Sequence, residues 1–153
     1  METGYVDAVG KIDKTYDANQ DEHSRYRGFP VYQTLIDLAT KEKRVDDVLS
    51  LYQAGRIKKY NFTSRDEIAE TIEDKFPNEA LKIWLDLVEK SLYEAHRSAY
   101  AESIRYLHKV LSVYTRTNRL SEWYIYINKL KEENKRRPRF LKELRQVSKE
   151  TLL

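Results

Sequence analysis

The sequence contains no cysteine, only four glycines and only three prolines among its 153 residues. Without cysteine the chain cannot form disulfides, thiolate zinc sites, iron–sulfur clusters or a cysteine nucleophile. This absence fits a cytoplasmic protein, and a cytoplasmic location is what we predict. Open β-architectures usually need more turn glycines than this, whereas helical proteins do not. The scarcity of glycine and proline is therefore the first indication of an all-α chain.

The sequence also lacks long apolar stretches, and its first residues do not combine a basic start with an apolar run. Neither a membrane-spanning helix nor a secretory signal is predicted. Hydrophobic residues make up 41% of the chain and charged residues 35%, which is the profile of a globular, soluble protein. At this length we expect one domain with a substantial core.

The motifs of common enzymes and metal sites are missing too. There is no glycine-rich phosphate loop and no serine nucleophile elbow. The histidines His23, His96 and His108 lack a second histidine or an acid at the spacing of a helical metal site. An enzyme would need a polar cleft around His96 or His108, and no residue pattern argues for one. We therefore predict no catalytic residue, no metal and no cofactor.

What the chain does have is helical periodicity along almost its whole length. The apolar pattern predicts an N-terminal helix over about 3–16 and a capping helix over about 138–149. Between them it predicts three helix pairs, near 30–55, 64–94 and 97–134. The pairs begin near residues 30, 64 and 97, so they are spaced by 34 and then 33 residues, the length of a tetratricopeptide-type unit.

This spacing predicts a right-handed stack of antiparallel helix pairs, with about seven or eight helices in a single domain over 1–153. A non-repeating helical bundle is the alternative. The helix predicted over 97–115 has two adjacent apolar stripes, so we expect neighbours on more than one of its sides. The twelve tyrosines are expected mostly in the core, and an aromatic partner-binding groove is the other interpretation.

Local signals refine the predicted helix ends. Gly55 is expected to cap one helix at its C-terminus. Ser64 and Glu67 form a capping-box pattern at the start of the next helix, and Ser121 is expected to cap the helix that continues to about 134. The first helix of the first pair is predicted to bury one apolar face, formed by Val31, Leu35, Leu38 and Ala39.

Positive charge is concentrated near the C-terminus. Residues 1–76 carry 12 basic and 15 acidic groups, a net charge of −3, whereas residues 77–153 carry 16 and 10, a net charge of +6. The basic segment runs from Lys129 to Lys149 and carries nine basic residues against three acidic ones. The candidate contact residues there are Lys135, Arg136, Arg137, Arg139, Lys142 and Arg145.

This basic segment has two interpretations. The first is a patch that binds the phosphates of a nucleic acid. The second is structural, because positive charge at the end of a helix stabilises its dipole by about 0.3–1 kcal/mol per group and Pro138 then starts another helix. The structural interpretation is favoured, because the apolar residues after the proline are spaced to dock on the preceding helices; they are Phe140, Leu144 and Val147.

Residues 44–145 as a whole resemble a known family. The resemblance is carried by RVDDVLSLY, FPNEALKIWLDLVEKSL, AYAESIRYLHKVLSVY and RLSEWYIYINKLKEENKRRPRFLKEL. The matching features are Pro77 with Ala80–Leu81, Tyr100 with Ala101, Tyr106–Leu107, Glu122–Trp123, and the basic turn before Phe140–Leu141. They look like the C-terminal helical region of prokaryotic SWIM zinc finger proteins.

In that family a cysteine-and-histidine motif upstream of the helices holds the zinc. This chain has no cysteine, so zinc binding does not carry over, and the chain is either a segment of a longer protein or a stand-alone relative. The resemblance implies a helical-repeat accessory region. We therefore predict a non-enzymatic module for protein–protein interaction or scaffolding, with a protein or peptide partner and no membrane contact. The alternative is nucleic-acid binding through the basic C-terminal helices.

Overall fold

A computed structural model of the chain describes residues 32–94 and 97–152. Within these ranges it contains seven α-helices and no strand, which confirms the predicted all-α class. The helices are α1 (residues 32–41), α2 (Val45–Ile57), α3 (Arg65–Ile72), α4 (Pro77–Glu94), α5 (Arg97–Arg116), α6 (Leu120–Glu133) and α7 (Pro138–Leu152). The predicted helix over 3–16 lies outside the described residues. Among the described helices, none has the length and apolar character that a bilayer span requires.

The chain divides into two compact units, Met1–Ser64 and Arg65–Leu153. In the first unit, Phe62 follows α2 and lies among tyrosines. Its ring centroid is 4.6 Å from that of Tyr60, 5.4 Å from that of Tyr52 and 6.4 Å from that of Tyr32. We call these four rings the aromatic cluster, and it forms the core together with the fully buried Ile36, Ala39 and Val48.

The predicted apolar face of α1 is wrong in part. Ala39 is buried as predicted, but Leu35 and Leu38 are 43% and 47% exposed, and Ile36 is fully buried in their place. The cause is Tyr32, which lies four residues before Ile36 on the same side of the helix and touches Phe62. Because Tyr32 packs on Phe62, the side of α1 that carries Tyr32 and Ile36 faces the core, and the side that carries Leu35 and Leu38 does not. Val31 lies outside the described residues.

Gly55 does not cap α2, contrary to the prediction. The helix continues to Ile57, and Gly55 is buried in its last turn, where a Cβ atom would overlap the ring of Phe62. The chain leaves the helix two residues later at Lys59, which has a φ of 61°. There the N–H of Tyr60 donates to the carbonyl of Gly55 at 2.8 Å, and the N–H of Lys59 donates to that of Arg56 at 2.9 Å. These two bonds form a Schellman motif, which caps the helix without using Gly55. The glycine instead lets the ring of Phe62 pack closely against α2.

In the second unit, α4 and α5 form the central antiparallel hairpin. Near its connection, the hydroxyl oxygens of Ser91 and Ser103 are 2.5 Å apart, and farther away the Lys109 ammonium lies 5.3 Å from the centre of the Trp84 ring. Residue numbers fall along α4 as they rise along α5, as an antiparallel pair requires. α5 packs against α4, α6 and α7, which confirms that it has neighbours on more than one side.

The second unit can also be divided into the pairs α3–α4 and α5–α6, and the first helices of these two pairs run parallel. Arg105 pairs with Asp66 and Lys109 pairs with Glu70, and both pairs join residues 39 positions apart. A constant offset of this kind shows that α5 follows the direction of α3. α3 and α5 begin at positions 65 and 97, that is 32 residues apart, so α5 is displaced by seven residues, about two turns, relative to α3.

The second helices of the two pairs, α4 and α6, show the same arrangement. A guanidinium nitrogen of Arg119 lies 2.5 Å from the side-chain oxygen of Asn78, near the start of α4 and α6. Farther along, the Tyr126 hydroxyl donates to Glu89 at 3.2 Å. α6 therefore runs parallel to α4, and the second unit is a stack of antiparallel helix pairs, as predicted.

The predicted start at Pro138 is confirmed, because α7 begins there, and α4 likewise begins at a proline, Pro77. The predicted cap at Ser121 is wrong, since α6 begins at Leu120 after Arg119, whose side chain does not cap it. The start is fixed by the preceding turn, in which Asn118 has a φ of 58°. The Ser64 hydroxyl accepts from the side-chain nitrogen Nε2 of Gln33 at 3.2 Å and donates to the carboxylate of Asp37 at 3.3 Å, both in α1. The capping box of Ser64 with Glu67 stays a prediction.

Candidate functional site

The basic segment is placed by α7, whose two sides differ completely. Phe140, Leu144 and Val147 are fully buried, as their spacing predicted. Arg139, Lys142 and Arg145 are exposed and follow one another at three-residue intervals on the opposite side of the helix. Apolar burial therefore fixes α7 in the orientation that holds these three basic side chains in solvent.

The structure separates the six predicted contact residues into two groups. Lys135 and Arg137 are engaged, the first with Glu132 at 2.9 Å and the second with the carbonyl oxygen of Leu92 at 2.8 Å. The other four are exposed and form no ion pair with any residue that the structure describes. We call these four the basic surface, and they are Arg136, Arg139, Lys142 and Arg145.

Arg137 has a structural role that differs from the predicted one. The sequence predicts that the basic turn stabilises the end of α6, but Arg137 donates to Leu92, in the last turn of α4. Carbonyl groups there lack partners within their own helix, and the dipole favours a positive charge. Arg137 therefore ties the turn between α6 and α7 to the end of α4.

The loss of this bond has a measurable consequence. Arg137→Ala is expected to lower the free energy of unfolding by about 1–2 kcal/mol, because a charged hydrogen bond to a partly buried carbonyl is removed. Arg136→Ala, at an exposed position one residue away, is expected to change this free energy by less than about 0.5 kcal/mol. Urea unfolding of both variants, followed by tryptophan emission, makes the comparison. Equal effects of the two substitutions would contradict the role given to Arg137.

The same bond brings an aromatic residue next to the basic turn. Tyr93 follows Leu92 directly, and its side chain is 88% exposed. The sequence gives no sign of this proximity, because Leu92 and Arg137 are 45 residues apart in the chain. Only the packing of α7 beside the α4–α5 hairpin reveals this proximity.

Acidic residues of α3 lie beside the basic residues of α5 and form cross-links between the helices. Asp66 accepts hydrogen bonds from Trp84 Nε1 at 2.8 Å and from Arg105 at 2.7 Å. Burial opposes ionisation of Asp66, but these two bonds outweigh it and hold the pKa of its carboxyl below the ordinary value. Just past the end of α3, Glu73 pairs with Arg116 at 2.9 Å. These charges hold α3 and α5 in register.

The described residues offer no metal centre. Within 32–94 and 97–152, no three side chains from histidine, aspartate or glutamate converge closely enough to hold an ion. His108 is half-buried on α5, whereas the side chains of His23 and His96 lie outside the described set.

Comparison of the chain with protein-family models, curated proteins and solved structures finds no match in any of the three. The resemblance to the helical region of SWIM zinc finger proteins therefore stays a prediction. The function has to be argued from the fold and its surfaces.

Proposed function

We propose that the protein is a non-enzymatic helical-repeat module, similar to a right-handed tetratricopeptide stack, that binds or scaffolds a protein partner. The observation that supports this most is that equivalent helices of the two pairs in the second unit run parallel, α3 with α5 and α4 with α6. Stacks of this kind present the side chains of equivalent helices side by side, which provides an extended surface for a partner. An accessory role beside a SWIM-type zinc finger is part of the same proposal.

The partner surface is expected to include the outer side of α6. Ile125 is 70% exposed and Tyr124 is 42% exposed there, although both are large side chains. Exposed aromatic and aliphatic residues of this kind often contribute most of the energy of a protein interface. The double variant Tyr124→Ser/Ile125→Ser removes them without touching the core.

The test compares proteins captured from cell extract by the wild type and by this double variant, quantified by mass spectrometry. A discrete set of captured proteins should be lost with the variant. Ile57→Ser, which alters an 81% exposed residue of α2 in the first unit, is the matched control and should retain that set. Identical capture by all three proteins would contradict a partner surface on α6.

A second candidate function is nucleic-acid binding, and the basic surface is the observation that favours it. Its four basic side chains lie in solvent without an ion pair to any described residue, so they are available to phosphates. If all four contact phosphates, the logarithm of the affinity should fall with the logarithm of salt concentration with a slope of about −3 for single strands and about −3.6 for duplex DNA.

Alanine substitution of all four residues of the basic surface is expected to abolish most of this salt-dependent binding. The matched control removes the same charge elsewhere, at Lys41, Lys58, Lys82 and Lys90, all of which are exposed. Fluorescence anisotropy of labelled oligonucleotides between about 50 and 200 mM salt measures the slope. Equal weakening in the two quadruple variants would show that only net charge matters and would remove the basic surface as a site.

A further inference from the structure

Tyr93 occupies a position that the protein core does not explain. Its ring is 88% exposed at the end of α4, although burial of a tyrosine ring is ordinarily favourable. The neighbouring Leu92, by contrast, is 6% exposed. Leu92 is thus the last buried residue of α4, and the Tyr93 ring after it is largely open to solvent.

The basic turn between α6 and α7 lies against the end of α4 that carries this ring. The bond from Arg137 to Leu92 holds the turn against the helix end, with Arg136 before it and Arg139 shortly after it in the chain. From Arg139 to Arg145, α7 extends the positive charge over about 9 Å at 1.5 Å per residue.

We propose that Tyr93 and the basic surface form one binding site for single-stranded nucleic acid. The Tyr93 ring stacks on an unpaired base, and the basic side chains contact the adjoining phosphates. This inference rests on the second candidate function above and makes it specific. Stacking on an aromatic side chain requires an exposed base face, which a single strand offers and the interior of a duplex does not.

The acidic residues close in sequence limit the positive charge of this site. Glu132 and Glu133 precede the turn but pair with Lys135 and Lys129. The other exposed acids are Glu89, one turn before Tyr93, Glu94, which follows it, and Glu143 on α7. The four residues of the basic surface outnumber these three acids, so the net charge favours a polyanion. A purely electrostatic site would accept any polyanion equally, whereas Tyr93 gives preference to one that carries planar bases.

The experiment uses the full chain and two labelled probes, a 12-nucleotide oligothymidylate strand and a duplex of the same length, at low salt. Tyr93→Ala is expected to weaken binding of the single strand about tenfold, the loss of one base–aromatic stack, and to leave duplex binding unchanged. Tyr93→Phe should retain binding, because it keeps the ring. Tyr124→Ala, which removes an exposed tyrosine of α6, is the control and should have no effect.

Competition separates stacking from simple charge attraction. Unlabelled oligothymidylate should displace the labelled strand at concentrations where polyglutamate of equal charge does not. Equal displacement by polyglutamate, or single-strand binding that Tyr93→Ala leaves unchanged, would overturn the inference while leaving the basic surface as a general polyanion site. If the wild type binds neither probe, the inference and the nucleic-acid function fall together.

Discussion

Replacement of Trp84 by phenylalanine is expected to lower the free energy of unfolding by about 3 kcal/mol, against about 1 kcal/mol for the same change at Trp123. Both side chains are fully buried, so the two substitutions remove the same apolar volume from the same unit. They differ in their polar contacts. Trp84 Nε1 donates to Asp66 at 2.8 Å, whereas Trp123 Nε1 has no acceptor among the residues that the structure describes.

The difference follows from the cost of burying polar groups. A hydrogen bond to a carboxylate contributes about 1.5–3 kcal/mol, and its loss also leaves Asp66 with one donor fewer in a partly buried site. Phenylalanine at position 123 removes a buried N–H that lacks a partner, which offsets part of the lost packing. Position 84 has no such compensation.

Each variant keeps one tryptophan, whose emission reports the unfolding of the second unit in urea. Tyr126→Phe, at a residue that bonds to Glu89 on the surface, serves as a control for the loss of an exposed hydrogen bond and should cost less than about 1 kcal/mol. Equal losses at positions 84 and 123 would show that packing alone determines the effect.

The extra stability lost in Trp84→Phe, compared with Trp123→Phe, depends on pH. The pKa of Asp66 is lower in the folded protein than in the unfolded chain, where it is about 3.9. The ionised Asp66 carboxylate therefore contributes its full stabilisation above about pH 3.9, and this stabilisation is lost as the pH falls through the lower folded-state pKa. The gap between Trp84→Phe and Trp123→Phe should be constant from pH 7 to about pH 5 and should narrow in acid.

The features that sequence could predict are those set by a single helix. The burial of Phe140, Leu144 and Val147 follows from their spacing alone, and so does the wide apolar arc of α5. The start of α7 at Pro138 follows from proline chemistry. In each case the signal lies within a few residues and needs no knowledge of the neighbouring element.

The features that sequence missed depend on which distant residue lies opposite. Leu35 and Leu38 have a helical pattern as good as that of Ile36, and only the contact of Tyr32 with Phe62 decides which arc of α1 is buried. The role of Arg137 and its proximity to Tyr93 likewise arise from a contact across 45 residues. One helix end shows the same limit on a smaller scale, since the left-handed turn at Asn118, rather than Ser121, sets the start of α6.

Gly55→Val is expected to lower the free energy of opening of the first unit by about 2–3 kcal/mol, the upper part of the range for overpacking a filled core. Helix propensity predicts the opposite sign, because glycine inside a helix costs about 1 kcal/mol relative to alanine and valine costs less. The decisive contact is with Phe62, whose ring occupies the space that any Cβ atom at position 55 would need. Phe62 is only 4% exposed and is enclosed by Tyr52 and Tyr60, so its ring cannot swing into solvent without breaking the aromatic cluster.

Native-state amide exchange at Val48 and Tyr52 measures this effect within α2 itself. Gln53→Val, at an exposed position of the same helix, is the matched control for helix propensity and should change the exchange free energy by less than about 0.5 kcal/mol. Phe62→Leu is expected to shrink the penalty of Gly55→Val by more than half, because the smaller side chain leaves room for the added methyl groups, and the double-variant cycle gives this coupling directly. Slower exchange in Gly55→Val than in the wild type would mean that propensity outweighs the contact with Phe62, and Gly55 would then have no packing role in α2.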